Sequence, residues 1–349
     1  MIDVPSKKAV AKAGAVLSTH DPSTPEYVAA METLSSWRSL YAHPLNAFNV
    51  LLRRKCKLEG LAGSSIVARR LKRAPSIVAK LKRNPKMQLN RMQDIGGLRV
   101  IVDSVEDVRN IHQSILSSQM GHEVVIPCDD YILQPKPDGY RSLHQVFKYH
   151  SEDSDLTNLG LRVEVQIRTK IQHSWATAVE TLGVIEKAAF KSGEGKQDFK
   201  RFFILSSALL SILEEQPVVE SLKDVSPQEI VREFTELEKD LHVFQKLQGV
   251  AVTVKELFSS DKKTAYYLME LDEASRRLSL WQFEPKEEEI AEVFYQHREK
   301  INRSKDNIET VLISVDSLKQ VRRAYPNYFL DCNAFISNLQ KICRQIEGA

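Results

Sequence analysis

The sequence predicts an α/β fold: a β-sheet flanked by helices, followed by a helical segment and a small ββαβα module. Three observations predict it. Short apolar or alternating runs with strand period are separated by longer stretches with helical period. In the clearest strand, residues 162–168, Val163, Val165 and Ile167 share one face, while Arg162, Glu164, Gln166 and Arg168 share the other. At 349 residues the chain exceeds one typical domain, so two or three units are expected. The expected boundaries are 1–60 for an N-terminal helical segment, 61–188 for the sheet domain, 196–256 for a helical linker segment and 262–349 for the C-terminal module.

Taken in order, residues 1–23 read as a loose arm ending in the turn-rich His20-Asp21-Pro22-Ser23. Thr24 then caps a helix, with Pro25 at its first position and Glu26 behind it. Tyr27, Met31, Leu34, Trp37 and Leu40 keep helical spacing, which assigns Trp37 to a core. A second helical piece after Pro44 carries Phe48, Val50, Leu51 and Leu52. In residues 64–83, Ile66, Val67, Leu71, Ile77, Val78 and Leu81 are apolar, with basic residues between them. Residues 97–102 read as a buried strand, 105–118 as a helix on one face of the sheet, and 142–149 as an alternating strand. After Thr169 a helix runs through Ile171, Trp175, Val179 and Leu182.

Residues 191–196 are a polar Gly/Ser linker, and 202–213 a nearly all-apolar, hence buried, helix. Ser226, Pro227 and Glu229 open a capped helix. Ile230, Phe234, Leu237, Leu241 and Phe244 give it a short coiled-coil-like seam, read as internal packing. In the last unit, strands at 264–271 and 278–283 join at Asp272-Glu273-Ala274. A helix marked by Ile290, Val293, Phe294 and Ile301, a strand at 310–315 and a final helix with Phe335, Ile336, Leu339, Ile342 and Ile346 complete it. Residues 325–329 read as a packed loop, although Tyr325 and Tyr328 near Arg322 and Arg323 also suit a ligand. No catalytic constellation stands out in this unit.

Apolar residues make up 42% and charged residues 27%, the balance of a globular rather than a disordered chain. The net charge is only +3, but residues 53–91 hold thirteen Lys/Arg against one acid, Glu59. Such a run fits a polyanionic partner, either nucleotide phosphates or a nucleic-acid backbone, or else a solvated face. The four cysteines, Cys56, Cys128, Cys332 and Cys343, are scattered, which argues against a zinc knuckle or a disulfide scaffold. The first residues lack the apolar core of a signal peptide, and no run approaches the ~20 apolar residues of a membrane span. A cytoplasmic protein without membrane contact is therefore expected.

The chemistry centres on residues 130–144, DYILQPKPDGYRSLH. Pro135 and Pro137 fix φ, and Gly139 supplies the freedom a sharp reversal needs. The loop thus holds Tyr140 and Lys136 rigidly, an aromatic plane beside a cation, which suits a nucleobase and its phosphates. A surface hairpin with a packing tyrosine fits the same residues. Asp94, in Gln93-Asp94-Ile95-Gly96-Gly97-Leu98-Arg99, precedes a strand, where α/β folds place ligands, or is a turn former. The polar face of residues 162–168 suits an active-site floor or a solvated edge.

These three segments, in order and spacing, resemble the synthetase domain of the RelA/SpoT family, which makes the alarmone (p)ppGpp. The resemblance covers roughly residues 60–185. It implies a mixed, nucleotidyltransferase-like sheet and transfer of pyrophosphate from ATP to the 3′-hydroxyl of GDP or GTP. On the ATP side, the order Arg70-x-Lys72, Ser76-Ile77, Lys80 matches the family's motif. It implies Arg70 on adenine and Lys72 and Lys80 on the triphosphate. Asp94 and Glu164 would hold Mg²⁺, a hard cation suited to carboxylate and phosphate oxygens, and Glu164 would also take the hydroxyl proton. Tyr140 would stack guanine. Lys136 and His144 would approach the acceptor phosphates, and Gln166 and Arg168 would orient sugar and phosphates.

Three positions depart from the family. Asp138 replaces its usual Asn, and we expect the carboxylate to accept from guanine N–H groups. Pro127-Cys128-Asp129-Asp130 is closer to the family's acidic four-residue variant than to its basic one, and Gly96 stands where the family has Ala. The histidines of the family's hydrolase half are missing, since His20-Asp21 has no partner histidines near it, so synthesis without breakdown is expected. Toxin-type relatives that pyrophosphorylate tRNA 3′ ends or adenosine nucleotides give one alternative, in which the C-terminal unit is a fused neutraliser. A non-catalytic nucleotide sensor is the other. A homo-oligomer is left open.

Overall fold

The computed structural model describes residues 4–118, 121–150, 156–186, 196–249, 253–256, 266–302, 305, 307–314, 318–329 and 332–348. The expected linker therefore falls, apart from its last residue, outside the described residues. Helices α1 (Lys7–Thr19), α2 (Pro25–Ser39) and α3 (Ala42–Leu58) come first, then β1 (Ile66–Leu71), α4 (Ala74–Arg83), β2 (Gly96–Val102) and α5 (Val105–Leu116). Strands β3 (Glu123–Asp130) and β4 (Leu143–Lys148) flank the Pro/Gly loop, and a single turn, α6 (Leu156–Leu159), leads to β5 (Arg162–Thr169) and α7 (Lys170–Ile185). Three helices follow: α8 (Lys196–Leu213), α9 (Pro227–Leu241) and α10 (Val243–Gln248). The remainder comprises β6 (Thr253–Glu256), β7 (Tyr266–Asp272), β8 (Arg277–Phe283), α11 (Glu288–Ile301), β9 (Ile308–Ser314), α12 (Leu318–Ala324), α13 (Pro326–Phe329) and α14 (Asn333–Glu347).

Among the described residues, nine strands form one mixed sheet in the order β3-β4-β5-β2-β1-β9-β7-β8-β6. The β2–β5 and β6–β8 pairs are parallel and the others antiparallel. In β2 and β5 the period of two separates function from packing. Leu98, Val100, Val163, Val165 and Ile167 enter the core made with α1–α5. Gly97, Arg99, Glu164 and Gln166 line a cavity on the opposite face. A second core joins Trp175 and Leu182 of α7 to α8, α9 and α14. Two smaller clusters cover the faces of β7–β9.

The N-terminal stretch is not the loose arm the sequence suggested. Ser6 caps α1 by accepting from the Ala9 amide at 3.2 Å, and Val10, Ala13 and Leu17 are buried at helical spacing. Helix α1 lies so close to the turn at Leu89 that a Cβ on Gly14 would meet the Leu89 Cβ at 2.6 Å. The seam expected to run to Phe244 is interrupted, because His242 takes φ +51° and separates α9 from α10. Residues 326–329 form a helical turn instead of a loop.

The C-terminal strands reach the sheet through β9, which pairs with β1 at Arg69↔Ser314 and Arg70↔Ile313. Arg38 reinforces this docking. It is 2% exposed, donates Nε–H to the Lys72 carbonyl at 2.9 Å and Nη2–H to the Tyr295 hydroxyl at 2.7 Å, and pairs through Nη1 with Glu299. Removing one partner of a buried pair strands the other charge. Arg38→Leu is expected to cost about 3 kcal/mol, whereas the double change Arg38→Leu, Glu299→Leu recovers more than half of it. Denaturant titrations of the single and double variants check this, and equal losses in both would contradict it.

Candidate active site

The cations beside Asp94 are set by local structure. Lys72 leaves β1 with its amide bonded to the Ile95 carbonyl at 2.8 Å, and Lys80 sits on α4. Both ammonium groups lie 2.8 Å from Asp94 Oδ2. Asp94 Oδ1 is buried without a hydrogen-bond partner. Burial alone would raise the Asp94 carboxyl, but Lys72 and Lys80 outweigh it and hold the group below the usual carboxylate range.

Glu164 projects from the same face. Its Oε2 accepts from Gln166 Nε2 at 2.7 Å, and its Oε1 lies 3.2 Å from His144 Nδ1. The other His144 nitrogen, Nε2, is 2.9 Å from the Tyr140 hydroxyl. Here too burial raises the carboxyl, while His144 and Gln166 bring it below its ordinary value despite the nearby Asp94. Gln166, Glu164, His144 and Tyr140 thus form one connected polar row. His144, expected at the acceptor phosphates, has both ring nitrogens engaged within that row.

The Tyr140 loop carries its own aromatic group. Gly139 has φ +93°, the left-handed region glycine favours. Lys136 Nζ lies 4.3 Å from the Tyr131 ring centroid and 5.2 Å from that of Tyr140. Asp138 is exposed, and its Oδ1 accepts the Tyr140 amide at 3.0 Å, so this residue shapes the turn.

Arg70, Lys72, Asp94, Glu164 and Gln166 line one cavity of about 80 Å³. Lys80 joins them through Asp94, and His144 and Tyr140 through Glu164. Arg168, by contrast, is 3% exposed and points Nη2 at His173 Nδ1, 2.5 Å away. His173 Nε2 donates to the Arg323 carbonyl at 3.0 Å, so Nδ1 is the acceptor and the ring is neutral. Burial and Arg168 hold the His173 pKa well below its usual value, and burial followed by Arg99 pushes Arg168 down to about 9.

Arg99 enters the site without a role expected from the sequence, and Tyr325, one of the two tyrosines that suit a ligand, enters with it. Arg99 follows Gly97 by two positions on the cavity face, and that period was the available signal. Its Nη1 donates to the Ala324 carbonyl at 3.2 Å, and its guanidinium lies 5.7 Å from the Tyr325 centroid. Tyr325, 3% exposed, lines the cavity from the C-terminal side and donates its hydroxyl to the Arg69 carbonyl at 3.1 Å. A neighbouring cavity of about 320 Å³ shares Arg70 and Tyr325 and adds Tyr328. Tyr325 therefore stands between the catalytic floor and the next open volume.

Among the described residues no cluster of three or more His, Cys, Asp or Glu is suited to hold a metal, and no helix is long and apolar enough to cross a membrane. The unpartnered Asp94 Oδ1 opposite Glu164 nevertheless fits a hard cation whose other ligands are phosphate oxygens and water.

The chain is similar to known proteins over part of its length. GTP pyrophosphokinase YjbM from Bacillus subtilis (strain 168) is 34% identical over 118 residues, covering 33% of this chain and 54% of that protein. GTP pyrophosphokinase from Escherichia coli (strain K12) is 29% identical over 170 residues, 48% of this chain and 20% of that protein. The chain thus spans about half the length, or less, of these curated relatives. Among solved structures, small alarmone synthetase 1 from Bacillus subtilis bound to its product pppGpp aligns with 27% identity and a TM-score of 0.45, over 53% of this chain and 94% of that one. Residues 69–194, which hold most of the site described above, match the family described as the region found in RelA / SpoT proteins.

Proposed function

We propose that the chain transfers pyrophosphate from ATP to the 3′-hydroxyl of GDP or GTP, making (p)ppGpp and releasing AMP. The observation that carries this reading is the shared floor. Two opposed carboxylates, Asp94 and Glu164, have donor-side cations on one flank and the Tyr140 platform on the other. Names of the relatives support the same chemistry.

In this reading Arg70 faces adenine, and Lys72 and Lys80 move from Asp94 to the incoming phosphates. Asp94 and Glu164 would hold Mg²⁺, which neutralises charge developing on the transferred group. The acceptor 3′-oxygen attacks the β-phosphorus of ATP, the bond to the α-phosphate oxygen breaks, and AMP departs with that oxygen. Glu164 takes the hydroxyl proton, its carboxylate oriented by Gln166 and His144. Tyr140 stacks guanine with Lys136 at its edge, and the buried Arg168 with Arg99 supplies positive potential behind the sugar and phosphates. We further propose cytoplasmic synthesis without breakdown.

An RNA 3′ end is the second acceptor reading, favoured by one observation. A groove of about 520 Å³, lined by Lys7, Arg91, Lys148 and Arg162, opens two residues before Glu164 on β5. Chromatography of products from labelled ATP with GDP, GTP or tRNA tests both. Labelled guanosine tetra- or pentaphosphate supports the first reading. Label in tRNA alone, weakened by salt, supports the second, and label in neither refutes transfer.

A further inference from the structure

The helical segment 196–249, expected as a linker, packs directly behind the Tyr140 loop. Ser207 of α8, 2% exposed, donates its hydroxyl to the Gly139 carbonyl at 2.6 Å. The contact is tight: a Cβ on Gly139 would lie 2.8 Å from Ser207 Cβ and 3.2 Å from Trp175 Cζ2. Trp175 is itself fixed to α8 through its indole N–H, which donates to the Phe203 carbonyl at 2.9 Å.

Arg141, next to Tyr140 and 4% exposed, ties the arrangement together. Its Nε donates to Ser207 Oγ at 3.2 Å, its Nη1 to the Ile132 carbonyl at 3.2 Å, and its Nη2 to the Pro217 carbonyl at 2.7 Å. One planar fork therefore joins the start of the loop, helix α8 and the chain after it. These acceptors are neutral, and burial pushes the guanidinium down to about 10. A buried cation held by uncharged acceptors is costly to keep, so the bracket implies a demand for fixed geometry at Tyr140.

Resting on the acceptor reading above, we infer that Arg141 and Ser207 are positioning residues that hold Tyr140 for the acceptor base, and that α8 belongs to the acceptor site. The side chains touch the loop backbone and not the donor cations, so they act on one substrate. Ser207→Ala, which keeps the packing, is expected to raise the acceptor KM about 5–10-fold with the ATP KM within about twofold. Arg141→Lys keeps the charge but loses the fork and is expected to raise the acceptor KM further, without rescue by the retained charge.

The full-length protein and both variants are compared by initial rates against each substrate and by titration calorimetry with GDP. A selective rise in acceptor KM and in GDP Kd supports the inference. An unchanged acceptor KM and Kd overturns it, as does an equal rise in both KM values. Should wild-type protein bind GDP without transferring to it, the acceptor reading fails alone and the calorimetric comparison still decides the clamp. Wild-type protein that binds no GDP overturns both.

Discussion

Replacing Asp94 with Asn is expected to lower pyrophosphate transfer by at least about 10³-fold, the scale on which single charge-stabilising groups act in phosphoryl transfer. Glu164→Gln is expected to lose on the order of 10²–10⁴. Asp94 joins two ammonium groups at 2.8 Å and leaves its other oxygen unpartnered, so an amide there removes both the charge and the free ligand. Glu164 takes part in the polar row through both oxygens, and glutamine cannot accept at both. The lysines retain 16% and 29% side-chain exposure, so the stability change from Asp94→Asn should stay near ~1 kcal/mol. Initial rates with circular dichroism as a folding control check this. A folded variant keeping a tenth of the wild-type rate would remove these residues from the mechanism. Both carboxyl groups sit below their ordinary values. The stabilisation they contribute is therefore present above the unfolded-chain values of about 4 and is lost as pH falls through the depressed native values.

Tyr325→Ala is expected to act in the opposite direction and strengthen ATP binding. Nucleotide-sized ligands occupy sites of roughly 300–1,000 Å³, whereas the floor cavity holds about 80 Å³ with the Tyr325 ring as one wall. Arg70 borders both this space and the 320 Å³ cavity beyond it, so removing the ring joins the two volumes. Seating ATP against Arg70 would require the buried ring to leave its place, at a cost of ~1.5–3 kcal/mol. Truncation removes that cost, so the apparent ATP affinity is expected to rise by about one to two orders of magnitude. The same truncation should lower the melting temperature. Titration of a non-hydrolysable ATP analogue into wild type and variant reads the effect. Unchanged or weaker binding by a folded variant would mean that the ring is not in the way.

How much of this was readable beforehand depended on sequence distance. The period of β5 puts Glu164 and Gln166 on one face, and the family resemblance favours a site there over a solvated edge. Asp94 stands out by its place beside a strand and in a motif that resembles the family's, since a strand-end position alone also fits a turn former. Arg99 obeys the same period, yet a charged residue inside an apolar strand is easily taken for an edge position. Tyr325 suits either a packed loop or a ligand by sequence, and its place at this site stays hidden there because its partners, Arg69 and Arg99, lie more than 200 residues earlier in the chain. The Arg141–Ser207 contact was hidden for the same reason, since neither side chain has a local signal. Helix α1 was missed despite a signal: Ser6 with Val10, Ala13 and Leu17 is a capped amphipathic pattern. Its lysine- and alanine-rich composition was read as an unstructured arm.

The join between β1 and β9 has a consequence for how the two halves of the sheet part. Among the described residues, seven pairs tie β7 to β9, six tie β1 to β2 and two bridge β1 to β9. Those two involve Arg69 and Arg70, the second of which lines the floor cavity. Parting the halves there would break those rungs together with the Arg38–Glu299 pair and the cluster in which Ile66, Ala68 and Ile101 meet Tyr267, Val311 and Tyr325, so side chains as well as backbone hold the C-terminal strands to the strand that carries Arg70.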